Sequence, residues 1–220
     1  VAAFVKSKLK EKLTTEDMVE IRRQAVHALT GLAIAVFIWS YPSLWYVVLA
    51  VAMAGMALSY SIKKAASAKN RVIRKFRKIA VALLKLVERK GELQRFPGKG
   101  AVMLFLGAGI TAAVFRKEAA AAIVILAVGD SVSHLAGRLF GRIRHKWIFA
   151  EEKMIEGSVS GFVYASVAAS ILLPVWTAVA AAAAAMTVEA AKVRILGKKI
   201  DDNLTVPVVA AAVIWALRLV

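Results

Sequence analysis

The sequence contains no cysteine, and its three histidines, at positions 27, 134 and 145, are far apart. A chain without cysteine has no disulfide framework and no thiolate metal site, and the scattered histidines argue against a histidine-rich zinc site. The Walker-A loop and the Gly-x-Ser-x-Gly nucleophile elbow are absent as well. These absences exclude the sequence signatures of P-loop enzymes, α/β-hydrolases and thiol-based centres.

Acidic residues are also scarce, since 14 Asp and Glu stand against 31 Lys and Arg, whereas hydrophobic residues make up 60% of the chain. A soluble domain averages about 45–50% apolar residues, so the composition predicts a membrane protein. A transmembrane helix needs about 20 apolar residues. Apolar runs lie at residues 25–40, 44–62, 100–115, 119–136, 157–173, 175–191 and 204–217. We therefore expect one all-α, polytopic membrane domain over residues 1–220 with about seven transmembrane helices; six is the main alternative.

The basic residues are segregated by this predicted topology. If every run crosses the bilayer, 28 of the 31 Lys and Arg lie on one side, and only Arg116, Lys117 and Arg218 lie on the other. Because cytoplasmic segments carry the excess of Lys and Arg, we expect the N-terminus and the basic loops to be cytoplasmic. Topology thus explains the net charge of +17, and no nucleic-acid partner is expected.

Two of the basic segments are assigned as follows. Residues 1–24 are interpreted as an N-terminal amphipathic segment, and residues 63–99 as a basic cytoplasmic helix and loop. Within the latter, Ile73, Phe76 and Leu83 recur at helical spacing among lysines and arginines. A basic amphipathic helix of this kind is typical of an anionic membrane surface.

Five carboxylates lie at or beside the ends of the apolar runs. They are Asp130, Glu156, Glu189, Asp201 and Asp202. In the predicted topology all five face the cytoplasmic side. Ionisable groups near hydrocarbon are costly, so such a set is by default a functional-site hypothesis.

A first cluster lies at the end of the fourth run. In a continuous helix one face carries Asp130, Ser133, His134, Gly137 and Gly141. An aspartate there can bind a hard divalent cation through oxygen, and glycines let a phosphate or another backbone come close. The alternatives are helix packing for the two glycines and a polar packing role for His134.

Cationic side chains follow in the same cluster. Arg138 and Arg142 lie one helical turn apart and can bind phosphate oxygens through paired N–H groups, although they also suit the flanking charges of a span. Lys153 adds a mobile charge. Glu156 and Gly157 begin the fifth run, where a helix N-terminus is itself an anion site.

A second cluster surrounds the start of the last run. Glu189 is followed by Lys192 at i+3, which allows a local ion pair. Asp201, Asp202 and Asn203 suit a turn and a helix cap. The alternative is that this trio completes a magnesium–triphosphate site with Asp130.

Together the two clusters resemble the CTP-dependent lipid kinases, a family that includes dolichol kinase, yeast-type diacylglycerol kinase and phytol kinase. The matching stretches are Gly129-Asp130, Gly137 to Gly141, Lys153-Met154-Ile155-Glu156-Gly157, Glu189, and Asp201-Asp202-Asn203 to Pro207. The resemblance follows nearly the whole chain in order. One departure is Met154, where the family has a hydroxyl residue. Phosphatidate cytidylyltransferases share the first cluster in outline but not the Asp-Asp-Asn ending.

The resemblance implies transfer of the γ-phosphate of CTP to the hydroxyl of a membrane lipid alcohol, with a polyprenol such as dolichol as the expected acceptor and Mg²⁺ as cofactor. The implied catalytic residues are Asp130, Glu156 and Asp202. The implied metal ligands are Asp130, Glu189, Asp201 and Asp202. The implied nucleotide-binding residues are Ser131, Gly137, Arg138, Gly141, Arg142, Lys153, Gly157 and Asn203.

Two other functions remain open from the sequence. A cytidylyltransferase making a CDP-lipid would retain the α-phosphate of CTP and release pyrophosphate. A non-enzymatic transporter or scaffold would spread its acids through mid-membrane depth, whereas these acids gather at one predicted interface.

Overall fold

The structure is a computed structural model that describes residues 14–65, 70–85, 88, 95–146, 153–191, 193–195 and 198–219. Its helices are α1 (Thr15–Ser40), α2 (Trp45–Lys64), α3 (Arg71–Leu84), α4 (Lys99–Phe115), α5 (Ala119–Phe140), α6 (Ile155–Ala169), α7 (Val175–Ala190) and α8 (Asp202–Arg218). A 3-10 turn, Pro42–Leu44, joins α1 to α2, and a short hairpin of β1 (Arg194–Ile195) and β2 (Lys198–Lys199) precedes α8. The prediction of an essentially all-α fold is confirmed.

Each of the seven apolar runs forms a helix, but the helices differ in length. Three of those in the described ranges are long and apolar enough to cross a membrane, namely Glu16–Ser40, Pro42–Lys64 and Ala119–Phe140. Helices α4, α6, α7 and α8 contain 15 to 17 residues. At a rise of 1.5 Å per residue they extend about 22–26 Å, less than the ~30 Å hydrocarbon core. An integral membrane protein is supported, but seven spans are not confirmed, because three helices of the described residues are long enough to cross.

Helix α5 lies at the centre of the bundle. It packs against α1, α4, α6, α7 and α8. Every residue from 119 to 127 is buried, and five of these nine are alanines whose small side chains let the neighbouring helices approach closely. The second half of α5 carries its polar residues into the same bundle, so the candidate site lies at that end.

The two predicted amphipathic segments are described in part. Helix α3 lies within the predicted basic segment, has exposed apolar residues such as Phe76 and Leu83, and has its main contact with α2. Residues 66–69, 86–87 and 89–94 of that segment lie outside the described residues, as do residues 1–13 of the N-terminal segment. The rest of the latter is mainly the first part of α1, which begins at a capping box between Thr14 and Asp17.

Candidate functional site

A cavity of about 520 Å³ lies where the C-terminal ends of α5 and α7 meet the N-terminal ends of α6 and α8. The first turns of α1 close one side of it. Its lining residues are Glu20, Ser133, His134, Gly137, Arg138, Gly141, Lys153, Met154, Glu189 and Asp202. Six of these residues are among the site residues predicted from the sequence: Gly137, Arg138, Gly141, Lys153, Glu189 and Asp202.

Asp130 lies beside this cavity between two imidazoles. Its Oδ1 is 3.2 Å from Nδ1 of His134, and its Oδ2 is 3.5 Å from Nε2 of His27. The same Nδ1 of His134 is 3.0 Å from the main-chain oxygen of Asp130. Both of those oxygens accept hydrogen bonds, so Nδ1 of His134 carries the proton and donates. The buried Asp130 carboxylate is thus held by residues from α1 and α5.

Glu189 is the most deeply buried acid of the site, with none of its side chain exposed. Its Oε1 lies 2.5 Å from Nζ of Lys153 and accepts from Oγ of Ser133 at 3.4 Å, while its Oε2 has no hydrogen-bond partner among the described residues. Lys192, the local partner suggested by the sequence, lies outside the described residues. A buried carboxylate oxygen without a donor is costly, so Oε2 could serve as a ligand to a cation.

Lys153 joins the two clusters. Besides Oε1 of Glu189, its Nζ contacts the main-chain oxygen of the same residue and lies 3.2 Å from Oδ2 of Asp202. Burial lowers the pKa of Lys153, but the charges of Glu189 and Asp202 outweigh it and leave that pKa above its ordinary 10.5. Lys153 is therefore a fixed positive charge in the cavity wall that connects α6, α7 and α8.

Within the described ranges, one group of side chains could hold a metal ion. Ligand atoms of Asp130, His134 and Glu189 all lie within 4.8 Å of one another. Nδ1 of His134 carries a proton that it donates to Asp130, so this nitrogen is not available to a metal. The two carboxylates are therefore the better metal ligands, and their oxygens suit a hard cation such as Mg²⁺. The partnerless Oε2 of Glu189 is the observation that fits a cation here.

Asp201 and Asn203 occupy a different position from the one expected. The side chain of Asp201 caps α8, where its Oδ1 accepts from the backbone N–H of Asn203 at 3.3 Å and from its side-chain amide at 3.0 Å. Lys99 lies 2.8 Å from the other oxygen of Asp201. Neither residue is among those that line the cavity. Of the Asp-Asp-Asn trio, Asp202 alone lines the cavity. Asp201 and Asn203 instead form the N-terminal cap of α8, which is the alternative that the sequence suggested.

Glu156 and Arg142 also lie away from the cavity lining. The Glu156 carboxylate accepts from the backbone N–H of Arg142 at 3.0 Å and of Ile143 at 3.2 Å. Backbone N–H groups, its own first, hold the pKa of Glu156 below its ordinary 4.5. The Arg142 side chain is exposed. Glu156 thus holds the start of the loop that follows α5. Glu156 was expected to be catalytic and Arg142 to bind the nucleotide, but neither residue lines the cavity.

The glycines serve the crossing of α5 and α6. A Cβ on Gly157 would lie 2.5 Å from the carbonyl oxygen of Ser133, so this expected nucleotide contact is a packing position. A Cβ on Gly141 would meet Cβ of Met154 at 2.7 Å. Gly137 and Gly141 both border the cavity, but a Cβ on Gly137 would meet its nearest neighbour at an ordinary 3.5 Å. Of these three glycines, Gly137 is the one that close packing does not require.

Two further predicted contacts have protein partners. Arg138 lines the cavity, and its Nε donates to Oδ1 of Asp17 at 2.5 Å. Ser131 is buried and turned towards α1, where its hydroxyl donates to the main-chain oxygen of Gln24 at 3.2 Å. Arg138 therefore faces the cavity while anchored to α1, whereas Ser131 belongs to the α1–α5 contact.

Residues of α1 belong to the site although the sequence did not single them out as ligands. Glu20 lines the cavity, and His27 faces Asp130. The available signal was their spacing: positions 20, 24 and 27 recur at i, i+4 and i+7 and so share one face of a helix. Polar residues on one face of an apolar helix indicate a contact with other polar groups.

Comparison with protein-family models, with curated proteins and with solved structures finds no match to this chain.

Proposed function

We propose that this chain is a CTP-dependent kinase of a membrane lipid alcohol and that the cavity between α5, α6, α7 and α8 is its active site. The observation that carries the proposal is the convergence of Asp130, Glu189 and Asp202, distant in sequence, around Lys153. The cavity volume of about 520 Å³ suits a small ligand such as a nucleotide, since ligand pockets occupy about 300–1,000 Å³. The resemblance described above supplies the donor and the acceptor class.

The carboxylates provide for a cation. Asp130 and Glu189 would hold Mg²⁺ through oxygen, with Asp202 on the far side of Lys153 as a further ligand or as a contact to water of the ion. Mg²⁺ commonly takes one or two carboxylates together with substrate phosphates. When bound, the ion would neutralise charge that develops on the transferred phosphoryl group.

The cations of the cavity provide for the phosphates. Lys153 is held as a buried ammonium, and Arg138 presents its guanidinium at the cavity wall. A triphosphate would compete with Asp17 for Arg138, because both offer oxygens to the same N–H groups. Gly137 borders the cavity without a side chain, so a phosphate could approach its backbone.

In the proposed reaction the alcohol oxygen forms a bond to the γ-phosphorus while the bond from that phosphorus to the bridging oxygen of the β-phosphate breaks, which releases CDP. The hydroxyl proton passes to water or to a carboxylate of the cavity. Phosphoryl transfer depends mainly on positioning and charge neutralisation, and the chain offers both. The basic segments favour a cytoplasmic position of this site, where CTP is present.

The test uses purified protein in lipid nanodiscs with γ-labelled CTP, Mg²⁺ and a panel of lipid alcohols that includes a polyprenol and a diacylglycerol. Asp130→Asn should reduce label transfer at least a hundredfold, as expected when a charge that acts in the transition state is lost. The matched control is Glu118→Gln, another buried acid, which lies 12 residues before Asp130 and thus about 18 Å away along α5. Near-normal transfer by Asp130→Asn would refute the metal assignment.

A further inference from the structure

A second concave site lies between α6 and α7 and opens towards the outside of the bundle. It has a volume of about 290 Å³. Its lining residues are His145, Ile155, Ser158, Val159, Phe162, Ala183, Met186, Thr187 and Ala190. Ile155, Val159, Ala183 and Thr187 are exposed, so in a membrane this groove faces lipid. It is called the α6–α7 groove below.

One end of the groove carries its polar groups. Nε2 of His145 lies 2.9 Å from Oγ of Ser158. The hydroxyl of Thr187 is already bonded to the main-chain oxygen of Ala183 at 2.8 Å. Apart from this pair, the described residues of the groove offer hydrocarbon walls, with no carboxylate, lysine or arginine among them.

The polar end adjoins the proposed active site. His145 donates its backbone N–H to the main-chain oxygen of Lys153 at 3.1 Å, and the side chain of Lys153 lines the cavity on the other side. Consecutive residues alternate between the two sites: Met154 and Glu189 line the cavity, whereas Ile155 and Ala190 line the groove. The wall between the cavity and the groove is thus one segment thick: the start of α6 on one side and the end of α7 on the other.

We propose that the α6–α7 groove binds the first carbons of the lipid acceptor's hydrocarbon chain and that His145 and Ser158 position its hydroxyl beside Lys153. This inference rests on the proposed kinase function, whose acceptor has no assigned site. The polar pair can both donate to and accept from one hydroxyl, which matches an alcohol.

The charge state of His145 agrees with this occupant. Burial, followed by the nearby charge of Lys153, holds the pKa of His145 below its ordinary 6.5. At neutral pH the imidazole is therefore uncharged, with one donating and one accepting nitrogen. The groove wall from Ala183 to Ala190 contains eight residues and is about 10 Å long. Bounded by only two helices, it suits one hydrocarbon chain, and a single-chain prenol fits better than a two-chain glyceride.

The experiment is photocrosslinking without nucleotide. Protein in nanodiscs is irradiated with a long-chain alcohol that carries a diazirine a few carbons from its hydroxyl, and modified peptides are identified by mass spectrometry. We expect labels on α6 around Val159 and on α7 around Ala183. Ala183→Leu, which fills the groove, should reduce them at least fivefold, whereas the control Ala54→Leu, the same exchange at an exposed position of α2, should not.

Kinetics test the polar pair. His145→Phe and Ser158→Ala should each raise KM for the alcohol about three- to tenfold, as expected for one lost neutral hydrogen bond, and leave KM for CTP unchanged. His145→Gln, which keeps a donor and an acceptor, should restore most of the affinity. A rise of both KM values together would indicate a structural role and overturn the positioning assignment.

Failure of this inference differs from failure of the proposed function. Label transfer from CTP with crosslinks elsewhere, for example on α1 or α2, overturns the groove and leaves the kinase standing. Crosslinks in the groove without any transfer from CTP support the alcohol site and refute the kinase. Loss of both observations refutes both proposals.

Discussion

Replacing Lys153 by methionine is expected to destabilise the protein strongly. Only 11% of the Lys153 side chain and none of the Glu189 side chain is exposed, and their charged atoms are 2.5 Å apart. Methionine removes the cation and leaves the Glu189 carboxylate buried. Breaking a buried ion pair on one side costs about 3–5 kcal/mol, because the remaining charge has neither water nor a partner.

The double variant Lys153→Met/Glu189→Gln separates charge from packing. It removes both charges, so it should regain most of the stability that the single variant loses. Glu189→Gln alone should cost less than Lys153→Met, because Lys153 keeps Asp202 at 3.2 Å. The control is Arg218→Met: Arg218 is 46% exposed and its partner Glu118 lies at the N-terminus of α5, where the helix dipole favours an acid. A loss of about 1 kcal/mol or less is expected there.

The measurement is the free energy of unfolding in mixed detergent micelles, with thermal unfolding as a second readout. A Lys153→Met variant as stable as the wild type would refute the buried pair. A double variant as unstable as the single one would show that methionine disturbs packing and that the charges are not the cause. Either result would remove the link between the two sequence clusters.

Three further predictions concern packing, pH and cation binding. Gly157→Ala should cost about 1–3 kcal/mol in unfolding experiments because its Cβ meets backbone, whereas Gly100→Ala, with open space around it, should be neutral or slightly stabilising; equal effects would contradict the close α5–α6 crossing. Folding raises the pKa of Lys153 above 10.5, so the stabilising contribution of its charge is complete below pH 10.5 and is lost as the pH rises through the pKa of the folded protein. The stability of the wild type should therefore fall in strong alkali by a step that Lys153→Met lacks. Mg²⁺ at about one hundred times its dissociation constant should stabilise the wild type by about 2.7 kcal/mol, reversibly with EDTA, and Asp130→Asn should show no such gain.

The positions of the helices could be predicted from the sequence, because a long hydrophobic run marks a segment that is shielded from water. The lengths of the helices could not be predicted in this way. Helix α5 continues to Phe140, four residues past the apolar run, and Gly137 and Arg138 of this extension line the cavity. Helix α6 instead ends at Ala169, before the predicted end of its run. A hydrophobic run therefore locates a helix more reliably than it measures a span.

The site could be predicted as a set of residues but not as an arrangement. A carboxylate at the end of a span looks the same in sequence whether it caps backbone N–H groups, as Glu156 and Asp201 do, or faces a cavity, as Glu189 and Asp202 do. Helix rotation and loop path decide between the two. The spacing of positions 20, 24 and 27 indicates that His27 contacts other polar groups, but it does not identify Asp130, 103 positions away, as the partner.

The most direct test of the central claim, that these gathered carboxylates and cations transfer the terminal phosphate of a nucleotide to a lipid alcohol, is one assay with CTP labelled differently on its α- and γ-phosphates. The proposal predicts that the γ-label enters the lipid while the α-label stays in released CDP. Entry of the α-label into lipid with release of pyrophosphate would identify a cytidylyltransferase. Absence of both labels from every lipid alcohol in the panel would contradict the enzymatic account.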